Sequence, residues 1–170
     1  MWQTNLDGGL RLTDILYENL VKITHPIWRA LSNIRSKKMS GVKDINELLS
    51  SMQPELIDES FVFCTVTGQL AQYSELEPIA TFIEQEGLTL VLTKDKADEA
   101  GLNYEGVFRQ ITLTVHSSLE AVGLTAAVST KLTSKGISAN VIAAYYHDHI
   151  FVSNDKAEQA LSALKELSDI

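Results

Sequence analysis

From residue 40 onward, the apolar and polar positions change period in a way that predicts a regular order of helices and strands. Asp44 can cap a short helix whose apolar residues recur at helical spacing, and Pro54 follows its end. Apolar runs then predict three strands, the second and third joined by a hairpin loop at Gly87. The predicted helix, three strands and closing helix lie at 45–52, 61–66, 79–83, 88–92 and 95–100.

The second half of the chain repeats this change of period. An alternating strand precedes a helix that begins at Leu119 or Glu120, and two further strands flank a tight turn at His147-Asp148 before a final amphipathic helix. The order β-α-β-β-α predicts an α+β fold with helices on one face of the sheet. These elements lie at 111–115, 119–133, 137–146, 149–152 and 155–167.

Residues 1–38 differ in composition from the rest of the chain. Apolar residues between Leu10 and Ile23 could line one side of a helix, but His25-Pro26 would interrupt it. One interpretation is a helix that binds a partner or a membrane surface, and the other is a disordered extension or a translated leader before Met39. Because the change in composition falls at Met39, we favour the second and expect an N-terminal extension, disordered or helical.

The distribution of charge argues against nucleic acid as a partner. Residues 1–38 carry 6 basic and 3 acidic side chains, whereas residues 39–170 carry 8 basic and 19 acidic ones. Because an acidic body repels a phosphate backbone, nucleic-acid binding is not expected. The net charge is instead expected to keep the protein soluble.

The sequence also argues against a membrane-spanning, secreted or nucleotide-binding protein. No run approaches the roughly 18 apolar residues that span a bilayer, and the first 25 residues lack the pattern of a secretory signal, so we expect a cytoplasmic protein. The single cysteine, Cys64, lies in an apolar run and is interpreted as a small core residue. No phosphate-binding glycine motif is present, and no cofactor is predicted.

Three segments resemble the ACT domain family, and in particular its stand-alone tandem proteins. They are PIATFIEQEGLTLVL (78–92), LTVHSSLEAVGLTAAVSTKL (113–132) and GISANVIAAYYHDHIFV (136–152). The resemblance implies tandem ferredoxin-like (βαββαβ) subdomains with antiparallel sheets and helices on one face. We divide the chain into the extension 1–38, a degenerate ACT-like subdomain at 39–108 and an ACT domain at 109–170.

The resemblance also implies a function and a site. ACT modules are regulatory and non-catalytic, and they bind a small molecule, usually an amino acid, at an interface between modules, so a homodimer is expected. The implied ligand-binding residues form a loop and a strand. They are Ser117, Ser118, Leu119, Glu120, Ala121, Val122 and Gly123, followed by Ser138, Ala139, Asn140, Val141 and Ile142.

Two alternatives remain open at this point. A protein interaction module without a ligand would use the sheet edges and the acidic surface. A metal-assisted hydrolase would use His147 and His149 with a third ligand such as His116, but a tight turn between them breaks strand alternation and favours a structural role for Asp148. In the first half, the connection TGQLAQYSELE (67–77) is short and polar for a crossover helix, which makes a site there doubtful.

Overall fold

This computed structural model of the protein describes residues 42, 44–115 and 121–168, so the predicted extension 1–38 lies outside the described residues. The first half contains α1 (Ile45–Ser51), β1 (Pro54–Val66), a 3-10 helix (Leu70–Leu76), β2 (Ala80–Ile83), β3 (Leu88–Thr93) and α2 (Lys94–Glu99). The second half contains β4 (Phe108–Leu113), α3 (Leu124–Ser134), β5 (Ala139–Ala143), β6 (Asp148–Ser153), a 3-10 turn (Asn154–Lys156) and α4 (Ala157–Ser168).

The strands of the described residues form one six-stranded sheet in the order β2-β3-β1-β4-β6-β5. Every neighbouring pair is antiparallel. The sheet therefore contains two overlapping sets of four strands, β2-β3-β1-β4 and β5-β6-β4-β1, each in ferredoxin-like order. We name the set with the 3-10 helix and α2 the first module, and the set with α3 and α4 the second module.

The two central strands belong to both modules. The 13-residue strand β1 pairs with β4 through its first part and with β3 from Phe61 to Val66. Between these parts the register with β4 shifts, at Leu56 to Ser60. The Arg109 guanidinium donates from Nε and Nη2 to the Ile57 carbonyl, at 3.0 and 2.7 Å, and so satisfies a backbone acceptor at the irregularity.

All the described helices pack on one face of the sheet, as the sequence predicted. In the second module α1, α3 and α4 cover a core that includes Ile111, Leu113 and Ile150. In the first module Ala97 of α2 packs on alternate residues of β1 and β3. The strand residues that face the first-module core are Val62, Cys64, Leu88, Leu90 and Leu92.

Phenylalanine side chains occupy the opposite face, at the centre of the sheet. Phe61, Phe63, Phe108 and Phe151 make edge-to-face contacts with ring centroids 5.4 to 5.8 Å apart. Such contacts add to the apolar area that the rings bury. The alternation of strand residues thus assigns each strand a helix-facing side and a phenylalanine-facing side.

Several boundaries differ from those predicted. Strand β1 begins at Pro54 rather than at residue 61, because its first part pairs with β4 despite a polar stretch. The hairpin turn between β5 and β6 lies at Ala144 to His147, where Ala144 N–H donates to the His147 carbonyl at 3.1 Å. The predicted turn at His147-Asp148 was therefore wrong, and Asp148 is the first residue of β6.

Candidate functional site

The loop between β4 and α3 is fixed to the sheet at its start. Thr114 donates from its backbone N–H and its hydroxyl to the Gln53 carbonyl, at 3.1 and 2.7 Å. Val115 is buried in the second-module core. His116 and four of the predicted ligand-binding residues, Ser117 to Glu120, lie outside the described residues.

The loop ends at Gly123, which is the N-cap residue of α3. Its φ of 109° and ψ of −21° lie where side chains are strained, which explains a glycine at this position. A Cβ there would lie 3.4 Å from Ile45 Cδ1, an apolar contact contributed by α1. Since glycine has no side chain, it cannot cap the free N–H groups in the first turn of α3, where a ligand carboxylate could bind.

Asp148 points to the helix side of the sheet at the same end of β4. Asp148 pairs with Leu113 of the neighbouring strand β4 and is only 7% exposed. Burial raises the pKa of its carboxyl, although the charges of His149 and His147 lower that pKa by a smaller amount. Sequence reasoning assigned Asp148 to a turn and missed that it is a buried carboxyl.

No hydrogen bond or ion pair joins the Asp148 carboxyl to another residue in the part of the chain that the structure describes. Among the described residues, every fully buried side-chain oxygen or nitrogen has a hydrogen-bond partner. Since the Asp148 oxygens have none, they must be in partial contact with solvent. Asp148 is therefore a largely buried acidic group with unused acceptor capacity. Such groups are costly to the fold and often have a functional role.

The two neighbouring histidines point to different surroundings. His147 Nδ1 lies 3.4 Å from the Val115 carbonyl, next to the loop. His149 is on the phenylalanine side, and its Nδ1 lies 3.0 Å from Gln110 Nε2 and 3.1 Å from Thr112 Oγ1. Because an amide nitrogen only donates, Nδ1 of His149 is an acceptor, and burial, the largest effect, lowers the pKa of this histidine.

The predicted ligand-binding strand is the outer strand β5. Ala139 and Val141 pack toward the helices, whereas Asn140 is exposed and pairs with Phe151 on the other side of the sheet. Ser138 is exposed just before the strand, and Ile142 contacts the phenylalanine cluster. Gly123 and Asn140 of one chain therefore lie on opposite sides of the sheet, so a ligand that contacts both would have to lie between two modules.

The first module has a loop at the equivalent place, but its own side chains occupy it. After β1, the N–H of Gln69 donates to Gln72 Oε1 at 2.9 Å, and the Tyr73 hydroxyl donates to the Thr67 carbonyl at 2.7 Å. A Cβ at Gly68 would lie 2.1 Å from the same Gln72 oxygen. In the connection at 67–77, which is short and polar for a crossover helix, the structure has a 3-10 helix (Leu70–Leu76).

A surface cavity of about 370 Å³ nevertheless lies between this first-module loop and β2. Its lining residues include Leu70, Thr81 and Ile83, and a second cavity shares Leu70 and Thr81. Apolar side chains are unusually exposed along this edge. The exposed fractions are 46% for Leu70, 50% for Ile79, 45% for Phe82 and 94% for Ile83.

The hairpins of the two modules differ at equivalent positions. Gly87 closes the β2–β3 turn and corresponds to His147, since Glu84 N–H donates to the Gly87 carbonyl at 2.9 Å. The next residue, Leu88, pairs with Val66 of β1 as Asp148 pairs with Leu113 of β4. A buried leucine in the first module thus stands where the second module has a buried carboxyl.

The hydrolase alternative finds no support among the described residues. No group of three or more histidine, cysteine, aspartate or glutamate side chains is arranged there to hold a metal ion. His116, the proposed third ligand, falls outside that part of the chain. In the same part, no helix is long and apolar enough to cross a membrane.

The overlapping ferredoxin-like modules define an α+β fold class, and comparison with known proteins identifies the family. ACT domain profiles match the chain twice in tandem, at residues 40–109 and 106–166. A Vibrio cholerae protein of unknown function, described as a possible transport protein, has a solved structure that is 63% identical. That match has a TM-score of 0.68 and covers 76% of this chain and 99% of that chain. Since the two ACT domain matches together cover residues 40–166, this chain belongs to the ACT domain family.

More distant solved structures share the fold. A protein from Agrobacterium tumefaciens is 15% identical, with a TM-score of 0.54 over 69% of this chain and 89% of that chain. The regulatory subunit of aspartate kinase from Thermus thermophilus, in its ligand-free form, is 11% identical, with a TM-score of 0.50 over 69% of this chain and 98% of that chain. No curated protein matches the chain in sequence.

Membership of the ACT family supports a regulatory, small-molecule-binding role. The matched residues, 40–166, consist of ACT modules, which are generally non-catalytic. The predicted family and fold are confirmed by these matches and by the sheet order. The predicted division at residue 108 and the predicted ligand-binding residues remain predictions.

Proposed function

We propose that this protein is a non-catalytic regulator that binds an amino acid at an interface between the ACT modules of two subunits. The ligand would contact the loop 117–123 of one second module and the strand segment 138–142 of another. The proposed assembly is a cytoplasmic homodimer, and the subdomains are 39–108 and 109–170. No nucleic acid, membrane or cofactor takes part.

The observation that best supports this role is the N-terminus of α3. Gly123 leaves the N–H groups of the first helical turn without an N-cap side chain, and α3 continues for 11 residues. The aligned peptide dipoles of such a helix favour a negatively charged group at its N-terminus. In the first module, by contrast, Gln72 already accepts the loop N–H that a carboxylate would use.

Ligand binding regulates a protein only if the ligand prefers one of its arrangements. In the proposed mechanism the ligand joins two modules, so it stabilises the arrangement in which the loop and the strand of different subunits are adjacent. The difference in affinity between the two arrangements sets the size of the switch. A ligand that bound both arrangements equally would have no regulatory effect.

Calorimetry with the 20 common amino acids at millimolar concentration tests this function directly. Light scattering on the same samples should show a dimer, and at least one amino acid should release or absorb heat in a saturable way. Gly123→Ala should weaken binding, because a methyl group at a strained φ displaces the loop. Gly136→Ala is the matched control, since Gly136 also has a positive φ, of 67°, but follows the far end of α3. A folded dimer that binds no amino acid would refute the proposal.

A second function is favoured by the exposed apolar edge beside β2. Leu70, Ile79, Phe82 and Ile83 form an apolar surface next to two cavities, as protein interaction sites commonly do. We propose protein interaction as the alternative role for the first module. Ile83→Glu should then abolish association with a partner or a second copy, while amino-acid binding in the second module is retained. Unchanged association would exclude this edge as an interaction surface.

A further inference from the structure

Asp148 is an acidic group that the fold does not use. Its carboxyl has no hydrogen bond or ion pair within the described residues, and only 7% of the residue is exposed. Leu88 occupies the equivalent position of the first module, so the fold itself does not require an acid there. A group that is expensive to bury and unnecessary to the fold indicates a ligand contact.

The position of Asp148 relates it to the N-terminus of α3. Asp148 pairs with Leu113, the last residue of β4, on the side of the sheet where α3 packs. The chain leaves β4 at that end and enters α3 through the loop, and both Val115 and Leu124 lie in the same core as Leu113. A site at this end would therefore combine amide donors, which suit a carboxylate, with a carboxyl acceptor, which suits a cationic nitrogen.

Building on the amino-acid-binding role proposed above, we infer that Asp148 determines specificity by pairing with the cationic nitrogen of the ligand. The ligand class is a small zwitterion, held by its carboxylate at the N-terminus of α3 and by its ammonium or guanidinium group at Asp148. Because the first module has Leu88 instead, the described residues of each chain provide one site of this kind. A buried hydrogen bond to a charged group is worth enough to separate an amino acid from an analogue without the nitrogen.

The test compares the best-binding amino acid with its 2-hydroxy acid in two variants. Asp148→Asn should weaken binding of the amino acid roughly 10- to 100-fold and leave binding of the hydroxy acid within about twofold. Asp148→Glu, which keeps the charge, should retain the preference for a cationic nitrogen. Asp95→Asn is the matched control, because it removes the same charge from the exposed first turn of α2.

A basic amino acid extends the same test to the side-chain nitrogen. If the nitrogen that Asp148 contacts lies in the ligand's side chain, only lysine-like or arginine-like ligands lose affinity in Asp148→Asn, and the inference holds for that nitrogen. Equal losses for the amino acid and the hydroxy acid would indicate a general distortion and overturn it. Unchanged binding of every ligand would overturn it too.

Stability measurements separate a specificity role from a structural role. We expect Asp148→Asn to unfold at the same or a higher denaturant concentration than the wild type, because it removes a buried unpaired carboxylate. A clear loss of stability would show that Asp148 holds the fold together, and the inference would then fail. If the folded wild type binds no amino acid, the proposed function fails first, whereas wild-type binding without an effect of Asp148→Asn defeats only this inference.

Discussion

The hairpins of the two modules have the same backbone pairing but different chemistry at their turns. In the first module Gly87 closes the turn so tightly that a Cβ would lie 2.7 Å from the Val66 carbonyl, and Leu88 fills the core beneath it. In the second module His147 and Asp148 hold these places. The first hairpin is therefore built for packing, whereas the second carries ionisable groups at a stability cost, which is common at functional sites.

The largest expected effect comes from placing the second module's acid in the first. Leu88→Asp should lower the free energy of unfolding by about 3 kcal/mol, because it buries an unpaired carboxylate and removes apolar contacts. Urea unfolding at pH 7 measures this change. Leu88→Asn is the control for lost apolar volume without charge. If Leu88→Asp unfolded like the wild type, both hairpins would tolerate an acid and Asp148 would not be distinctive.

The second prediction concerns the turn itself. Gly87→Ala should destabilise the protein by about 2 kcal/mol, since the added methyl group meets backbone rather than a movable side chain. His147→Ala should cost less than about 1 kcal/mol, because the contact of His147 Nδ1 with the Val115 carbonyl is long, at 3.4 Å. Thermal unfolding of the two variants side by side is the measurement. Equal costs would mean that the two turns are equally tight.

Replacing Asp148 by the first module's residue should have a smaller effect, of opposite sign. Burial raises the pKa of Asp148 against the opposing charges of His149 and His147. A raised pKa in the folded state means that the stability present at low pH is lost as the pH rises through that pKa. Asp148→Leu removes this loss of stability. At pH 7 its free energy of unfolding should therefore be about 1 kcal/mol higher than that of the wild type.

Unfolding measured from pH 3 to pH 8 tests this prediction. The difference between Asp148→Leu and the wild type should grow in favour of the variant as the pH rises. Asp95→Leu is the comparison variant, because it makes the same replacement at an exposed acid in the first turn of α2. A difference that stays constant with pH would show that the Asp148 carboxyl is as well solvated as a free one.

Of the four changes to stability predicted here, the replacement of Gln72 is expected to be the smallest. Gln72→Ala removes the acceptor of the Gln69 N–H and should cost about 0.5 to 1 kcal/mol, the ordinary loss for a helix cap. Amino-acid affinity should not change, because Gln72 lies in the first module. Altered affinity would indicate that the first-module loop also takes part in ligand binding.

Much of the fold could be predicted from the sequence because its signals are local. Asp44 caps α1 as expected, accepting the N–H groups of Asn46 and Glu47 at 3.0 Å. The apolar runs located β2, β3 and β6 to within a residue or two. The first part of β1 could not be found in this way, because its polar residues form a strand only by pairing with distant β4.

The candidate site was predicted less completely. The helix predicted to begin at Leu119 or Glu120 begins at Leu124, because Gly123 has a left-handed backbone conformation and serves as its N-cap. The burial of Asp148 was missed because the turn was placed at His147-Asp148, so Asp148 was assigned to the turn instead of to the first position of β6. One signal could have found it: LTLVLT at 88–93 and DHIFVS at 148–153 follow equivalent turns, and their comparison sets Asp148 against Leu88.

The shared central strands have a consequence for how the chain is synthesised. Strand β1 is made early, but its first part has its partner only when β4, some 50 residues later, has left the ribosome. Until then the middle of the future sheet is an open edge, which is the kind of surface that pairs with other chains and aggregates. A nascent chain stalled before residue 108 should therefore need a chaperone more than the finished protein does.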